Sequence, residues 1–229
     1  MKIRNPFKEL TKFECILWII SLFVVSASCL MSKMQSPINC IASLVGVTAL
    51  IFVSKGDVFG QFLTVAFSVL YAISAYEFRY YGEMITYMGM TAPMAVVSVV
   101  SWLKHPYENS SQVKIEHLRK GQIINIALST LIITIFFYFI LKYFSIPNLI
   151  VSTISIATSF SASYLTYLRS PFYAAAYSLN DIVLIVLWIM ASFESISYLP
   201  MAFCFFMFLI NDIYGFYNWG RMKNIQENI

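Results

Sequence analysis

Residues Leu209-Ile-Asn-Asp-Ile-Tyr-Gly-Phe-Tyr-Asn-Trp219 end an apolar run from about 199, long enough to cross roughly 30 Å of hydrocarbon. Yet they set Asn211, Asp212, Tyr214 and Asn218 inside it. Polar side chains at that depth are costly, so they turn toward a bundle interior or a cavity. Leu209–Trp219 therefore reads as the end of a membrane helix with a buried hydrophilic face.

The whole chain agrees. Of its 229 residues, 59% are hydrophobic and only 11% charged, with a mean hydropathy of +0.74. A soluble domain cannot cover its surface with so few charges. Eight apolar segments follow one another, at about 13–31, 37–53, 58–77, 84–103, 122–143, 147–168, 172–193 and 199–219. They are continuous, without the alternation of a membrane β-barrel. The fold class is all-α integral membrane, with eight transmembrane helices.

Orientation follows from the basic residues. With the N-terminus inside, Lys2, Arg4, Lys8, Lys12, Lys55, Lys104, Lys114, Arg119, Lys120, Arg169, Arg221 and Lys223 are cytoplasmic, and only Lys33, Arg79 and Lys142 lie outside. Cytoplasmic loops carry such an excess, so both termini are expected in the cytoplasm, in a multi-pass protein of a bacterial cytoplasmic membrane. The alternative for the first segment is a signal peptide ending near Ser26-Ala-Ser28; its length favours a retained span. The net charge of +4 sits at membrane edges and calls for no nucleic acid. Cys15, Cys29, Cys40 and Cys204 have no metal-ligand spacing and read as small core residues. No cofactor motif appears.

An offset of 117 residues aligns Val69-Leu-Tyr-Ala-Ile-Ser-Ala-Tyr-Glu77 with Val186-Leu-Trp-Ile-Met-Ala-Ser-Phe-Glu194, and Trp102 with Trp219. Only seven of the 44 positions in 59–102 are identical to their partners in 176–219, which apolar helices reach easily by chance. Topology adds weight. Segments 2–4 and 6–8 both begin outside and end inside, and two triplets share an orientation only if an odd span joins them. The arrangement is 1 + (3+1+3), with two parallel three-helix repeats, SWEET-like, a transporter architecture. The expected divisions are 1–36 (N-terminal segment and extra helix), 37–103 (repeat 1), 104–146 (loop and linking helix) and 147–229 (repeat 2 and tail).

Four helices carry polar or aromatic residues at helical spacing: Gln61, Thr64, Ser68 and Tyr71; Tyr87, Thr91 and Ser98; Tyr173, Tyr177, Asn180 and Trp188, beside Asp181; and Asn211, Tyr214 and Asn218. Ser and Thr in such helices mostly bond their own backbone or a neighbour. Trp102 and Trp219, near helix ends, read as interfacial belt residues. Asn180, Asp181, Asn211 and Asp212 point to a cavity. Amides can hold sugar hydroxyls, and Tyr or Trp can stack on a ring or attract a cation. With no basic residue inside the helices, a nucleoside suits the interior better than a nucleotide.

Tyr81-Gly-Glu83, Pro93-Met94 and the Asn-x-x-Tyr-Gly ending within Leu209–Trp219 make the chain resemble the PnuC-type vitamin transporters, over roughly 40–220. That resemblance implies the 3+1+3 fold, nicotinamide riboside as founding substrate, facilitated diffusion, and a cytoplasmic kinase that traps the product. Departures are visible: Tyr173 and Ala176 stand where the family's nicotinamide riboside carriers commonly have a Trp-x-x-Trp pair, and Tyr87 and Ala95 where those carriers often have Asn and Gln. A deoxyribonucleoside, thiamine or another vitamin stays open as the ligand, as does a homo-oligomer.

Expected substrate contacts are Asn180, Asp181, Trp188, Asn211, Tyr214, Tyr87, Thr91, Gln61 and Tyr177, with Asn180 and Asn211 converging on one hollow. A proton-coupled symporter using Asp181 or Asp212 is the alternative mechanism. An enzyme is disfavoured because His105 and His117, its only histidines, lie in the polar 104–121 loop. A mere scaffold leaves the polar faces unexplained.

Overall fold

The computed structural model describes residues 5–31, 37–77, 79–108, 110–146 and 148–228. Lys33, Lys2 and Arg4 fall outside that set. After a short 3-10 turn at Pro6–Glu9, eight helices are long and apolar enough to cross a membrane. They are α1 (Lys12–Met31), α2 (Pro37–Ser54), α3 (Val58–Glu77), α4 (Tyr81–Lys104), α5 (Lys120–Tyr143), α6 (Leu149–Tyr167), α7 (Tyr173–Ser192) and α8 (Leu199–Glu227). Two of them run beyond the apolar segments. α4 starts at Tyr81, and α8 continues to Glu227 because its last turns pack on the 104–119 loop: Gln226 accepts from the Ile115 N–H at 2.8 Å.

Six helices form a closed ring in the order α2, α3, α4, α6, α7, α8, with α8 returning to α2. Exchanging each member of α2–α4 for its counterpart in α6–α8 leaves this order unchanged. α1 lies outside against α2 and α8. α5 lies outside against α6, and only 6% of its apolar window is buried, so most of its surface faces away from the ring. Residues 117 positions apart meet at both ends of the ring. The Trp188 indole N–H donates to the Tyr71 hydroxyl at 3.1 Å at one end, and the Trp102 and Trp219 rings lie 5.5 Å apart at the other.

The end that holds both described termini is locked through helix-terminal carbonyls, which have no partner within their own helix. Trp219 Nε1–H donates to Val53 O at 2.9 Å, Asn218 to Ser54 O at 2.9 Å, and Trp102 Nε1–H to Thr166 O at 3.0 Å. Trp102 and Trp219 are thus wholly buried, not belt residues as their place in the sequence suggests. Their indole donors are spent on backbone rather than on headgroups.

α1 begins with a capping box, Thr11 bonding the Glu14 N–H and Glu14 the Thr11 N–H. Glu14 also accepts the Tyr214 hydroxyl at 2.9 Å and lies 3.6 Å from the Lys55 ammonium, which bonds Glu9 O. One carboxylate therefore joins α1, α8 and the α2–α3 turn.

In α4, residues Tyr87–Thr91 form a π turn closed by Ala92 N–H to Tyr87 O. Pro93 has no N–H for the carbonyl one turn back, and the ladder widens there. The widened turn sets Tyr87 and Thr91 on the inner wall.

The α2–α3 corner has no slack. A Cβ on Gly60 would meet the Val53 backbone and approach the Phe52 carbonyl carbon to 2.8 Å. Gly60→Ala should cost about 1–3 kcal/mol through overpacking and lower the melting temperature of the detergent-solubilised protein. Gly121→Ala, in open space, should not lower it.

Candidate functional site

The ring encloses a cavity of about 50 Å³ to which all six of its helices contribute. α2 gives it a smooth wall of Gly46, Ala49, Leu50 and Val53. α3 adds Gln61, Thr64 and Phe67, and α4 adds Tyr87 and Thr91 from the π turn. Across from them stand Ser159 of α6, Tyr177, Asn180 and Asp181 of α7, and Phe205, Phe208 and Asp212 of α8. Ligand sites usually measure about 300–1,000 Å³, so the bundle is closed around a hollow that must widen to admit a small molecule.

The polar groups on these walls are partly satisfied. Thr158 Oγ1–H donates to Asn180 Oδ1 at 2.9 Å, which aims the amide, and Tyr177 and Ser163 share a hydrogen bond of 3.0 Å. Thr64 returns its hydroxyl to Gly60 O at 2.9 Å. The Asp181 and Asp212 carboxyl groups reach each other across the α7–α8 seam. Two buried atoms on the lining have no partner: Thr91 Oγ1 and Asp181 Oδ2. Buried polar atoms are nearly always hydrogen-bonded in folded proteins, so two orphans on one cavity mark a place where a ligand's donors and acceptors fit. No lining residue is Lys, Arg or His.

Of the nine expected contacts, six line the cavity together: Gln61, Tyr87, Thr91, Tyr177, Asn180 and Asp181. Three lie elsewhere. Trp188 sits beyond the hollow, bonded to Tyr71. Asn211 donates to Ser21 Oγ at 3.0 Å and Met207 O at 2.7 Å, and Tyr214 reaches Glu14, so both face α1. The expected meeting of Asn180 with Asn211 does not occur. Asn211, Tyr214 and Asn218 do share one face of α8, but it is the seam face, and Asp212, about 100° further round, reaches the hollow. Thr64, Ser159, Phe67, Phe205 and Phe208 were not among the nine. Thr64 was signalled by the stripe it forms with Gln61, whereas the phenylalanines carry no signal separating cavity wall from core.

This geometry separates two neighbours. Asp212→Asn should cut transport strongly while leaving the folded protein's thermal stability nearly unchanged. Asn211→Ala should leave specific activity intact and lower stability by about 1 kcal/mol, the worth of an interhelical hydrogen bond. Parallel melting and proteoliposome exchange assays read both.

Comparison with known proteins gives concordant matches. Residues 36–221 match the family described as nicotinamide mononucleotide transporter. The nicotinamide riboside transporter PnuC of Neisseria mucosa is 25% identical over 224 residues, covering 96% of this chain and 85% of that protein. The crystal structure of the vitamin B3 transporter PnuC superposes with a TM-score of 0.81 at 24% identity, covering 95% of this chain and 94% of that one.

Proposed function

This chain belongs to the nicotinamide mononucleotide transporter family, and we propose that it imports nicotinamide riboside, or a closely related non-phosphorylated nucleoside, by facilitated diffusion. The observation that carries this reading is the charge of the cavity. Asp181 and Asp212 line it and no cationic side chain does. A phosphate dianion needs Arg, Lys or backbone donors and would meet two carboxyl groups instead. A pyridinium ring meets acid and aromatic faces, and ribose hydroxyls meet Asn180, Gln61 and Thr91.

In this scheme both termini are cytoplasmic and the 37–103 and 147–229 triplets rock about the ligand. Tyr71 and Trp188 close the outer side, and Trp102 and Trp219 the inner side. A cytoplasmic kinase sustains the inward flow. Phosphorylation adds the one group the cavity is least fitted to hold, so the product does not return.

The departures at Tyr173 and Ala176 support a second ligand reading within the same mechanism, a deoxyribonucleoside or thiamine. Tyr173 is turned toward Val53 O at 3.4 Å and the Trp219 ring, away from the hollow. Proton coupling draws on the adjacency of Asp181 and Asp212. It would show as accumulation against a gradient, abolished by an uncoupler, in vesicles without kinase.

A ligand stabilises the state it binds, by about 2.7 kcal/mol at a hundredfold excess over Kd. Nicotinamide riboside should raise the melting temperature and undergo counterflow in proteoliposomes, while nicotinamide mononucleotide should do neither. Response to the mononucleotide alone, or to none of the nucleosides and vitamins, would overturn the proposal.

A further inference from the structure

Beyond the cavity, at the end of the ring away from the termini, stands a second polar group that the scheme above does not use. Glu83, at the start of α4, is 3% exposed. One of its oxygens, Oε2, has no hydrogen-bond partner, and the carboxyl has no salt bridge among the described residues. The Tyr71 side chain lies close to it. Tyr71 accepts from the Trp188 indole N–H at 3.1 Å, so Trp188, Tyr71 and Glu83 follow one another as a chain of neighbours.

Aromatic rings surround this chain. Tyr71 and Tyr87 lie 4.1 Å apart between centroids, Tyr80 and Trp188 5.0 Å apart, and the Tyr71 and Trp188 planes are nearly perpendicular at 6.4 Å. All four rings are buried, and the Tyr80 hydroxyl is also without a partner. Tyr87 belongs to the cavity wall as well, so the aromatic group is continuous with the hollow and closes it on that side. Glu194 is exposed at the same end.

A carboxylate without a counter-ion among aromatic faces has the composition of a site for an organic cation. A metal cation such as Ca²⁺ would want six to eight oxygen ligands, and one carboxylate with three phenols falls short. An anion would be repelled. We propose that Glu83, walled by Tyr71, Tyr80, Tyr87 and Trp188, is a transit subsite for a flat, positively charged heterocycle on its way between the outer end and the central cavity. The proposal rests on the transport reading above. In the closed bundle the Tyr71 O–H is placed to turn to the carboxylate. An arriving pyridinium replaces it, Tyr71 loses its anchor, and the Tyr71–Trp188 contact that seals the path is released.

The test uses two ribosides of the same skeleton, nicotinamide riboside and its uncharged 1,4-dihydro form, in counterflow with proteoliposomes. Glu83→Gln should lower exchange of the cation about tenfold and leave the neutral form nearly unaffected. Tyr71→Phe, which removes the hydroxyl competing for the carboxylate, should raise the cation-to-neutral ratio about threefold. Should Glu83→Gln fail to fold, the Tyr71→Phe ratio decides alone. Equal effects on both ribosides, or none on either, would overturn the subsite while leaving the transport reading standing. Wild-type protein that carries neither riboside would overturn the transport reading, and the subsite with it.

Discussion

Hydrocarbon offers no partner to a polar group, and every part of this bundle answers to that constraint. Many hydrophilic side chains within the spans fall into three sets. Thr48, Ser68, Thr86 and Thr166 bend their hydroxyls back to carbonyls of their own helices. Trp102, Trp219 and Asn218 donate to the last carbonyls of neighbouring helices and thereby close one end of the ring. A third set, among them Asn180, Asp181 and Asp212, lines the hollow that all six ring helices surround. Groups of the third kind are the ones free to be satisfied by something other than protein.

The hollow lies where the α2–α4 and α6–α8 triplets close on each other. Two triplets of the same orientation, joined by one span that restores the direction, close into a ring whose packing order is unchanged by exchanging them. Equivalent residues that touch one another lie on the axis of that exchange. Tyr71 meets Trp188 at one end and Trp102 meets Trp219 at the other. The axis therefore passes through two aromatic contacts with the cavity between them. α5, which only restores direction, needs no buried surface and has little. α1 takes no part in the ring, yet Ser21 and Glu14 supply partners for Asn211 and Tyr214.

Charge then selects what such a hollow can pass. With acids and no base on its walls, it favours a cation or a neutral polyol over any phosphate ester. Glu83 extends the acidic, aromatic character beyond the cavity.

Much of this was legible in the sequence. Apolar length sets the number of spans, because membrane thickness is a fixed ruler, and all eight were found. The stripes of Gln61 with Thr64 and of Tyr177 with Asn180 showed which side chains share a face, because helical periodicity is local. What periodicity cannot say is which neighbour that face meets. Asn211 and Tyr214 form as regular a stripe as any, yet α1 covers it, and Asp212 one step round the helix reaches the cavity. Likewise Trp102 and Trp219 look like interfacial anchors until carbonyls 64 and 166 residues away in sequence claim their indole donors. Rotation of a helix about its axis and the partner of its polar face depend on contacts distant in the chain, and only the assembled ring decides them.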